Sequence, residues 1–302
     1  MITILGAGKV GSAIAFLCGS SGLDDVTLVN RNEKRAIGEA LDITNSIPKN
    51  STISVTGTSD YSQIKNSDVI VITASVKAHT ASRSDIMLEQ SVMIRDIARK
   101  ISELAPNSKV LVVTNPVDVM TYLMQTCNPG SNVIGIASSL DSARFRYLLA
   151  KELRVDQSQI IDAMVMGEHD DSMVPIFSRA KLGNVSVNDI LNEKQKSQIT
   201  LDVRNYWKLL RDYKGSSVFG IAKNTFDVIE SIIQNQQLDI CASVLLHGQY
   251  GVNDVCIGVP VTITKSQVLI NEVSISNYEK EQLRKSAGIV KSNISQVSEF
   301  LK

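Results

Sequence analysis

The chain contains three histidines, and one of them is placed to transfer protons. His169 follows the apolar run Ile160–Val165 and lies in a polar turn. An imidazole titrates close to neutral pH, so it serves as both proton donor and proton acceptor. His79 lies in a polar loop, whereas His247 follows an apolar strand and is expected to pack in the core or at an interface. His169 is therefore the candidate general acid and base.

A carboxylate and a guanidinium stand at helical spacing in a second polar segment. Arg144 comes three residues after Asp141, so we expect both side chains on one face of a helix. A guanidinium can hold a carboxylate through two parallel hydrogen bonds. Taken alone, however, this spacing favours an ordinary ion pair at the start of a helix.

Three glycines, Gly6, Gly8 and Gly11, follow a short apolar strand and open a helix. The first permits a tight turn, the second lets the backbone approach a pyrophosphate, and the third lets the helix pack closely on the strand. Lys9 and Val10 complete this loop, and the helix N-terminus faces the phosphates. The segment predicts a dinucleotide site; the alternative is a glycine-rich turn without a ligand.

The second strand ends at Asn30, where a dinucleotide site usually has an acidic residue that holds the ribose hydroxyls. A neutral amide still bonds a hydroxyl and does not repel a 2′-phosphate. Arg31, Lys34 and Arg35 supply cations close by. The segment therefore predicts that NADP is accepted or preferred. NAD remains open, and the alternative for the cations is a solvated basic helix start.

The first half of the chain alternates β-branched strands with helical stretches, which predicts a doubly wound parallel sheet of the Rossmann type. The predicted helices cover 33–45 and the segment from Ile86 to Leu104. The predicted strands are Ile2–Leu5, Val26–Val29, Val69–Thr73, Val110–Thr114 and Val133–Gly135.

The second half reads as a mixed α+β domain. Helical patterns cover about 193–213, 218–235 and 277–301, with alternating strand patterns near 241–247 and 254–263. We place a dinucleotide-binding domain at 1–140 and a catalytic, substrate-binding domain at 141–302. Because no flexible linker separates them, close packing of the two domains is expected.

The composition excludes several classes of protein. The 302 residues carry 31 Lys and Arg against 31 Asp and Glu, which argues against nucleic-acid or membrane binding through bulk charge. Four scattered cysteines predict neither disulfides nor a metal site, and they are typical of a reduced cytoplasmic protein. The chain starts directly in a strand, and its longest apolar run is too short for a membrane span, so no signal peptide or anchor is expected.

Together these segments resemble the lactate/malate dehydrogenase family over nearly the whole chain, most closely its LDH-like malate dehydrogenases. Several motifs in the right order are more specific than any one alone. They are Gly6–Gly11, Thr114-Asn115-Pro116-Val117-Asp118, Ser139–Arg146, Gly167-Glu168-His169, and Tyr250-Gly251 with Gly258-Val259-Pro260.

The resemblance implies a role for each matching residue. His169 exchanges a proton with the substrate C2 oxygen, and Asp141 accepts a hydrogen bond from its other ring nitrogen. Arg144 grips the substrate carboxylate, and Asn115 holds the C2 oxygen. The same resemblance implies further contacts: Arg83 polarises the carbonyl from a lid, Ser217 faces the substrate, and Thr73, Ala74, Thr114 and Asn115 lie beside the cofactor.

The resemblance implies that Ser75–Arg83 is a lid and that one position in it selects the substrate. Its specificity position falls on Lys77, where a cation favours a second carboxylate and hence malate over lactate. This loop is one residue shorter than the family pattern, so Ala78 or His79 is the alternative at that position, and a solvated lysine is the alternative role.

Another departure is Asp170, which replaces a glycine after His169; Asp tolerates positive φ, so the turn is expected to survive. If it faced the site, it would oppose an anionic substrate.

The resemblance implies reversible NAD(P)-linked oxidation of malate, a small dicarboxylate, by a homodimer or homotetramer. Dehydrogenation of lactate or another 2-hydroxy acid is the nearest alternative. A metal-dependent glycosidase sharing the fold is disfavoured, because the cysteines are not near His169 in sequence and the chain is short. A non-catalytic NAD(P)-binding protein is also disfavoured, because such a protein does not need the catalytic and substrate-binding residues together.

Overall fold

The computed structural model describes residues 1–76, 83–130 and 132–302. Lys77, Ala78 and His79 lie outside the described residues, so the expectations for the specificity position stay predictions. Arg83 is the first residue of a helix. Its role at the lid also stays a prediction.

The first half forms the predicted parallel sheet, with helices connecting successive strands. The strands lie in the order β3-β2-β1-β4-β5-β6, the arrangement of a doubly wound fold. Strand β3 escaped prediction because Val55 is its only large apolar residue. The strands are β1 (Ile2–Leu5), β2 (Val26–Val29), β3 (Val55–Thr58), β4 (Val69–Ile72), β5 (Lys109–Val112) and β6 (Val133–Gly135), and the helices are α1 (Lys9–Ser20), α2 (Glu33–Thr44), α3 (Arg83–Leu104) and α4 (Val117–Cys127).

The second half begins with α5 and contains two small sheets and three long helices. The predicted helices at 193–213, 218–235 and 277–301 are confirmed within a few residues. The helices are α5 (Ser138–Leu153), α6 (Val187–Ile190), α7 (Glu193–Lys214), α8 (Phe219–Ile233) and α9 (Asn277–Phe300). The short strands are β7 (Ile160–Ile161), β8 (Val165–Met166), β9 (Val174–Pro175), β10 (Lys181–Leu182) and β11 (Val185–Ser186).

The remaining strands extend the sheet of the first half. Strands β12 (Leu238–His247), β13 (Asn253–Ile263) and β14 (Val268–Ile270) form an antiparallel meander. Strand β12 joins the edge of β6 where Ser243 pairs with Gly135, giving one nine-stranded sheet. Because this sheet crosses residue 140, the division into two domains at that point stays a prediction.

The main core runs through both halves of the chain. One cluster of buried side chains contains Ile4 and Val71 from the parallel strands and Ile257 from β13. A smaller cluster lies between α5 and α7, where the rings of Phe145 and Phe177 meet edge to face. Core packing thus joins the second half to the parallel sheet.

Two further observations concern expectations made from the sequence. His247 is exposed at the end of β12, so of its two expected places the core is wrong and an interface stays a prediction. Across the ranges that the structure describes, no helix combines the length and apolarity needed to cross a membrane.

Candidate active site

A buried carboxylate brings the candidate base and the candidate cation together. Asp141 lies in the first turn of α5 and is 1% exposed. Its Oδ2 is 2.5 Å from Nδ1 of His169, and its Oδ1 accepts a hydrogen bond from Nη1 of Arg144 at 3.2 Å. The i,i+3 ion pair between Asp141 and Arg144 therefore exists, and Asp141 also connects it to His169. We call His169, Asp141, Arg144 and Ser217 the acid–base wall.

The electrostatics of His169 follow from this arrangement. Burial lowers the pKa of an imidazole, but the charge and hydrogen bond of Asp141, with a smaller contribution from Asp118, raise the His169 pKa above its ordinary value. Because Asp141 engages Nδ1, the other ring nitrogen, Nε2, is the one left for proton exchange. The wall therefore favours an imidazolium.

The chain immediately before His169 is held by backbone hydrogen bonds. Gly167 donates to Gly258 at 2.8 Å and accepts from it at 2.9 Å. Gly167 has a φ of +89°, and a Cβ there would lie 2.7 Å from Oγ of Ser286, so a side chain is excluded. Asp170, on the other side of His169, has no positive φ, so the turn survives without the backbone freedom of glycine.

A cleft of about 930 Å³ is lined by three of the four wall residues and by a further predicted substrate contact. His169, Arg144, Asn115 and Ser217 all line it. Nη2 of Arg144 donates to Oγ of Ser217 at 3.5 Å, so the guanidinium joins α5 to the start of α8 across the cleft. Val10, from the glycine-rich segment, also lines the cleft and connects the two ligand regions.

The cleft is also lined by residues outside the set predicted to bind substrate or cofactor. Asp118 and Glu168 line it, and so does Asp170. From α7, Trp207 and Arg211 reach it, with the guanidinium carbon 5.2 Å from the indole centroid. Two features of the sequence could have pointed to these residues. One is an acidic residue at the start of the apolar helix α4, and the other is the single tryptophan, four residues before an arginine.

The glycine loop, Gly6–Gly11, has the geometry of a phosphate cradle. A Cβ on Gly6 would lie 2.7 Å from the backbone nitrogen of Ala74, and one on Gly11 would lie 1.9 Å from the oxygen of Gly6. Both glycines are thus required for close packing. A Cβ on Gly8, in contrast, meets no described atom within 4 Å, so the space beside the N-terminus of α1 is open to a ligand.

The ends of the neighbouring strands are tied to this loop. Oγ1 of Thr73 donates to the oxygen of Gly6 at 2.9 Å, and Oγ1 of Thr114 donates to the oxygen of Ala74 at 2.7 Å. These bonds tie together the ends of β1, β4 and β5. The predicted cofactor residues thus lie close together, and their arrangement fits a dinucleotide.

Asn30 also contacts the glycine loop. Its Oδ1 accepts from the backbone of Ala7 at 3.4 Å, and its Nδ2 donates to the oxygen of Asn32 at 3.1 Å. Arg31 and Lys34 are exposed beside it, and Lys9 is exposed at the start of α1.

Within the described ranges, no group of three or more His, Cys, Asp or Glu side chains could hold a metal ion.

Comparisons with known proteins agree over the whole chain. The model of the lactate/malate dehydrogenase NAD binding domain matches residues 1–135, and that of the α/β C-terminal domain matches 138–301. The chain is 35% identical to the malate dehydrogenase of Staphylococcus saprophyticus over 300 residues, covering 96% of this chain and 95% of the relative. It is 33% identical to the L-lactate dehydrogenase of Priestia megaterium, covering 96% and 94%.

Solved structures give the same picture. The malate dehydrogenase from Picrophilus torridus, in its apo form, superposes with a TM-score of 0.93 at 30% identity, over 99% of this chain and 98% of that one. The lactate dehydrogenase from Cryptosporidium parvum, complexed with lactic acid and nicotinamide adenine dinucleotide, gives 0.92 at 31% identity, over 98% and 97%. The fold, the two family models and the full-length identities show that the chain belongs to the lactate/malate dehydrogenase family.

Proposed function

We propose that the protein is a malate dehydrogenase that oxidises (S)-malate to oxaloacetate reversibly with a nicotinamide dinucleotide. The observation that carries the proposal is the acid–base wall, in which one buried carboxylate holds both a candidate base and a candidate substrate cation. Relatives named malate dehydrogenase that match over 95% or more of their length support it.

The residues of the wall account for the proton. When malate is oxidised, the hydroxyl proton passes to Nε2 of His169 as the C2–O bond becomes a carbonyl. A nicotinamide dinucleotide held at the glycine loop would supply the acceptor for the C2 hydride. Asp141 stabilises the imidazolium that forms and holds the ring in one orientation. In the reverse direction, the same imidazolium returns the proton to the C2 oxygen.

Arg144, Asn115 and Ser217 position the substrate. Burial lowers the pKa of Arg144, while Asp141 opposes this, and a guanidinium remains charged at every pH of interest. Its side chain, shared between Asp141 and Ser217, is held ready to bind the C1 carboxylate. Asn115 lines the cleft where its amide donates to the C2 oxygen.

The second carboxylate of malate requires a further cation. Lys77 is the residue we propose for this contact, with Arg83 polarising the carbonyl. Arg211 brings an additional positive charge to the cleft from α7, which supports a dianionic substrate. Lactate or another 2-hydroxy acid remains the second candidate, since a relative named L-lactate dehydrogenase is 33% identical.

We further propose that NADP is accepted beside NAD. In this proposal Gly6, Gly8, Lys9, Val10 and Gly11 would hold the pyrophosphate, and Asn30 would bond the ribose, with Arg31 and Lys34 as the cations for a 2′-phosphate. An aspartate in place of Asn30 repels a 2′-phosphate, so Asn30→Asp shifts the preference toward NADH. An unchanged NADPH-to-NADH ratio of kcat/KM in this variant shows that Asn30 does not select the cofactor.

We also propose a homodimer or homotetramer in a reducing, cytoplasmic compartment. Large apolar side chains are exposed on helices that pack together: Phe16 on α1, Leu41 on α2 and Phe219 on α8. The cysteines are free, and Cys18, Cys241 and Cys256 are buried. Light scattering of the purified protein tests the proposed assembly, and a monomer at micromolar concentration contradicts it.

Initial rates with oxaloacetate and with pyruvate, each with NADH and with NADPH, test the function. Faster turnover of oxaloacetate supports malate dehydrogenase and a cation at the distal carboxylate. Faster turnover of pyruvate keeps the acid–base wall but removes Lys77 from the substrate site. If folded protein that binds NADH turns over neither compound, the proposed function is wrong.

A further inference from the structure

A second carboxylate touches His169, through its main chain. Asp118 is the second residue of α4 and is 3% exposed. Its Oδ2 accepts a hydrogen bond from the backbone nitrogen of His169 at 2.8 Å, and its Oδ1 accepts one from Oγ of Ser243 at 2.6 Å. Both oxygens are therefore engaged.

These bonds join three separate parts of the fold. Asp118 lies on α4 in the first half, Ser243 lies on β12, and His169 lies in the turn after β8. Ser243 sits where β12 meets β6, and a Cβ on Gly135 would lie 2.8 Å from the Cβ of Ser243. This close approach leaves Ser243 little room to move. Asp118 is thus fixed from one side and holds His169 on the other.

We propose that Asp118 is a positioning residue for proton transfer, which holds the main chain of His169 and places a second negative charge near its ring. This inference rests on the proposed role of His169. Asp141 orients the imidazole through Nδ1, whereas Asp118 fixes the peptide from which the imidazole projects. With both carboxylates in place, ring and backbone are constrained separately, which keeps Nε2 at a defined point in the cleft.

The surroundings of Asp118 determine its charge. Burial raises the pKa of Asp118 to about 6, and the charge of Glu168 adds to the rise. The hydrogen bonds from Ser243 and His169 and the charge of an imidazolium act in the opposite direction and lower this pKa. From β13, Cys256 faces it, and burial together with Asp118 holds the pKa of that thiol well above its usual value, so the thiol stays neutral. On α5, Asp141 and Arg144 act on His169 with opposite signs.

A pH dependence follows from these charges. Above about pH 6, Asp118 is ionised and favours the imidazolium of His169. As the pH falls through this value, Asp118 takes up a proton and its support of the imidazolium is lost. The titration of His169 therefore depends on Asp118 as well as on Asp141.

Asp118→Asn separates the two roles. The amide has nearly the same shape, so its oxygen accepts from the backbone of His169 and its nitrogen donates to Oγ of Ser243, but the charge is gone. Asp118→Ala removes both bonds and the charge. We expect Asp118→Ala to lower kcat by roughly 10- to 100-fold with little change in NADH affinity, because His169 is displaced. Asp118→Asn restores most of that kcat.

The decisive measurement is the titration of His169 itself. Labelling histidine at Cε1 gives three NMR signals, and the His169→Gln variant assigns the signal of His169. We expect Asp118→Asn to lower the His169 pKa by roughly one unit. Glu281→Gln is the matched control, since this exposed carboxylate pairs with Lys285 on α9 and should leave the titration unchanged.

An unchanged His169 titration in folded Asp118→Asn protein overturns the proposal, and so does a kcat as low as that of Asp118→Ala. If Asp118→Ala does not fold, the Asn variant alone decides through its titration and kcat. The NMR titration needs no turnover. A wild-type protein inactive on oxaloacetate and pyruvate therefore refutes the proposed function, while a shifted titration still supports the coupling between Asp118 and His169.

Discussion

In the proposed function the glycine loop binds the cofactor through its backbone, whereas the acid–base wall acts through side chains. Gly6–Gly11 is one continuous stretch at the end of β1, and its open space beside Gly8 exists because a side chain is absent. The wall brings Asp141 and Arg144 of α5 together with His169 from the turn after β8 and Ser217 from the segment before α8, and buries charge between them. One region is specified locally, and the other only by the completed fold.

This difference predicts which activity a substitution in each region impairs. A substitution in the loop acts on the space available to the cofactor and leaves proton transfer intact. A substitution in the wall acts on the proton or the substrate and leaves the cofactor site intact. Measuring NADH affinity and turnover separately in the same variants therefore tests whether the two regions are independent.

The largest expected effect is on turnover in His169→Ala. Removing the imidazole removes the proton acceptor, and general acid–base catalysis contributes roughly 10²- to 10⁴-fold to such rates. NADH affinity, measured by fluorescence titration, should stay close to that of wild type. Turnover near the wild-type rate would show that another group moves the proton, and a large loss of NADH affinity would show that the regions are not independent.

Asp141→Asn should change the pH profile as well as the rate. The Asp141 carboxylate raises the His169 pKa, so its loss lowers that pKa. Oxaloacetate reduction needs the imidazolium and slows as pH rises through this pKa. Malate oxidation needs the neutral ring and slows as pH falls through it. Both limits should therefore move to lower pH in rate profiles; profiles that do not move contradict the assigned role.

How far the sequence predicts the molecule follows from the same contrast. The glycine loop, the parallel strands and the long helices are readable because their patterns are local. The placing of β12 on the edge of β6 is not, since it depends on close contact between Ser243 and Gly135, which lie far apart in the chain. Strand β3 lacked an apolar pattern, and the exposure of His247 reflects its place at a strand end.

The charged groups of the wall show the same limit. The sequence predicts that Asp141 and Arg144 share a helical face, but as an isolated pair they indicate only an ion pair. The resemblance to a known family supplied the contact with His169. Asp118 remained without a role because its partners, the His169 main chain and Ser243, lie 51 and 125 residues away along the chain.

Gly8→Ala tests cofactor binding by the loop, whereas His169→Ala tests proton transfer. The new methyl group meets no described protein atom within 4 Å, so stability should be unchanged, but it occupies the space proposed for the pyrophosphate. Losing hydrogen bonds to a charged phosphate weakens NADH binding by roughly 10- to 100-fold. Gly38→Ala on α2 is the control, with similar open space and no expected effect on binding. Unchanged NADH affinity in Gly8→Ala places the pyrophosphate elsewhere.

The smallest expected effect concerns Asp170, which faces the cleft beside His169. Its carboxylate opposes an anionic substrate, so Asp170→Asn should lower the KM for oxaloacetate by about two- to fivefold, the range of a partly screened charge interaction. The change should be smaller for pyruvate, which carries one carboxylate, and should shrink as salt is added. Asp171→Asn, at the exposed neighbouring carboxylate, should leave both KM values unchanged. Equal effects of the two variants would indicate a general change in surface charge, and no effect of either would show that Asp170 does not face the bound substrate.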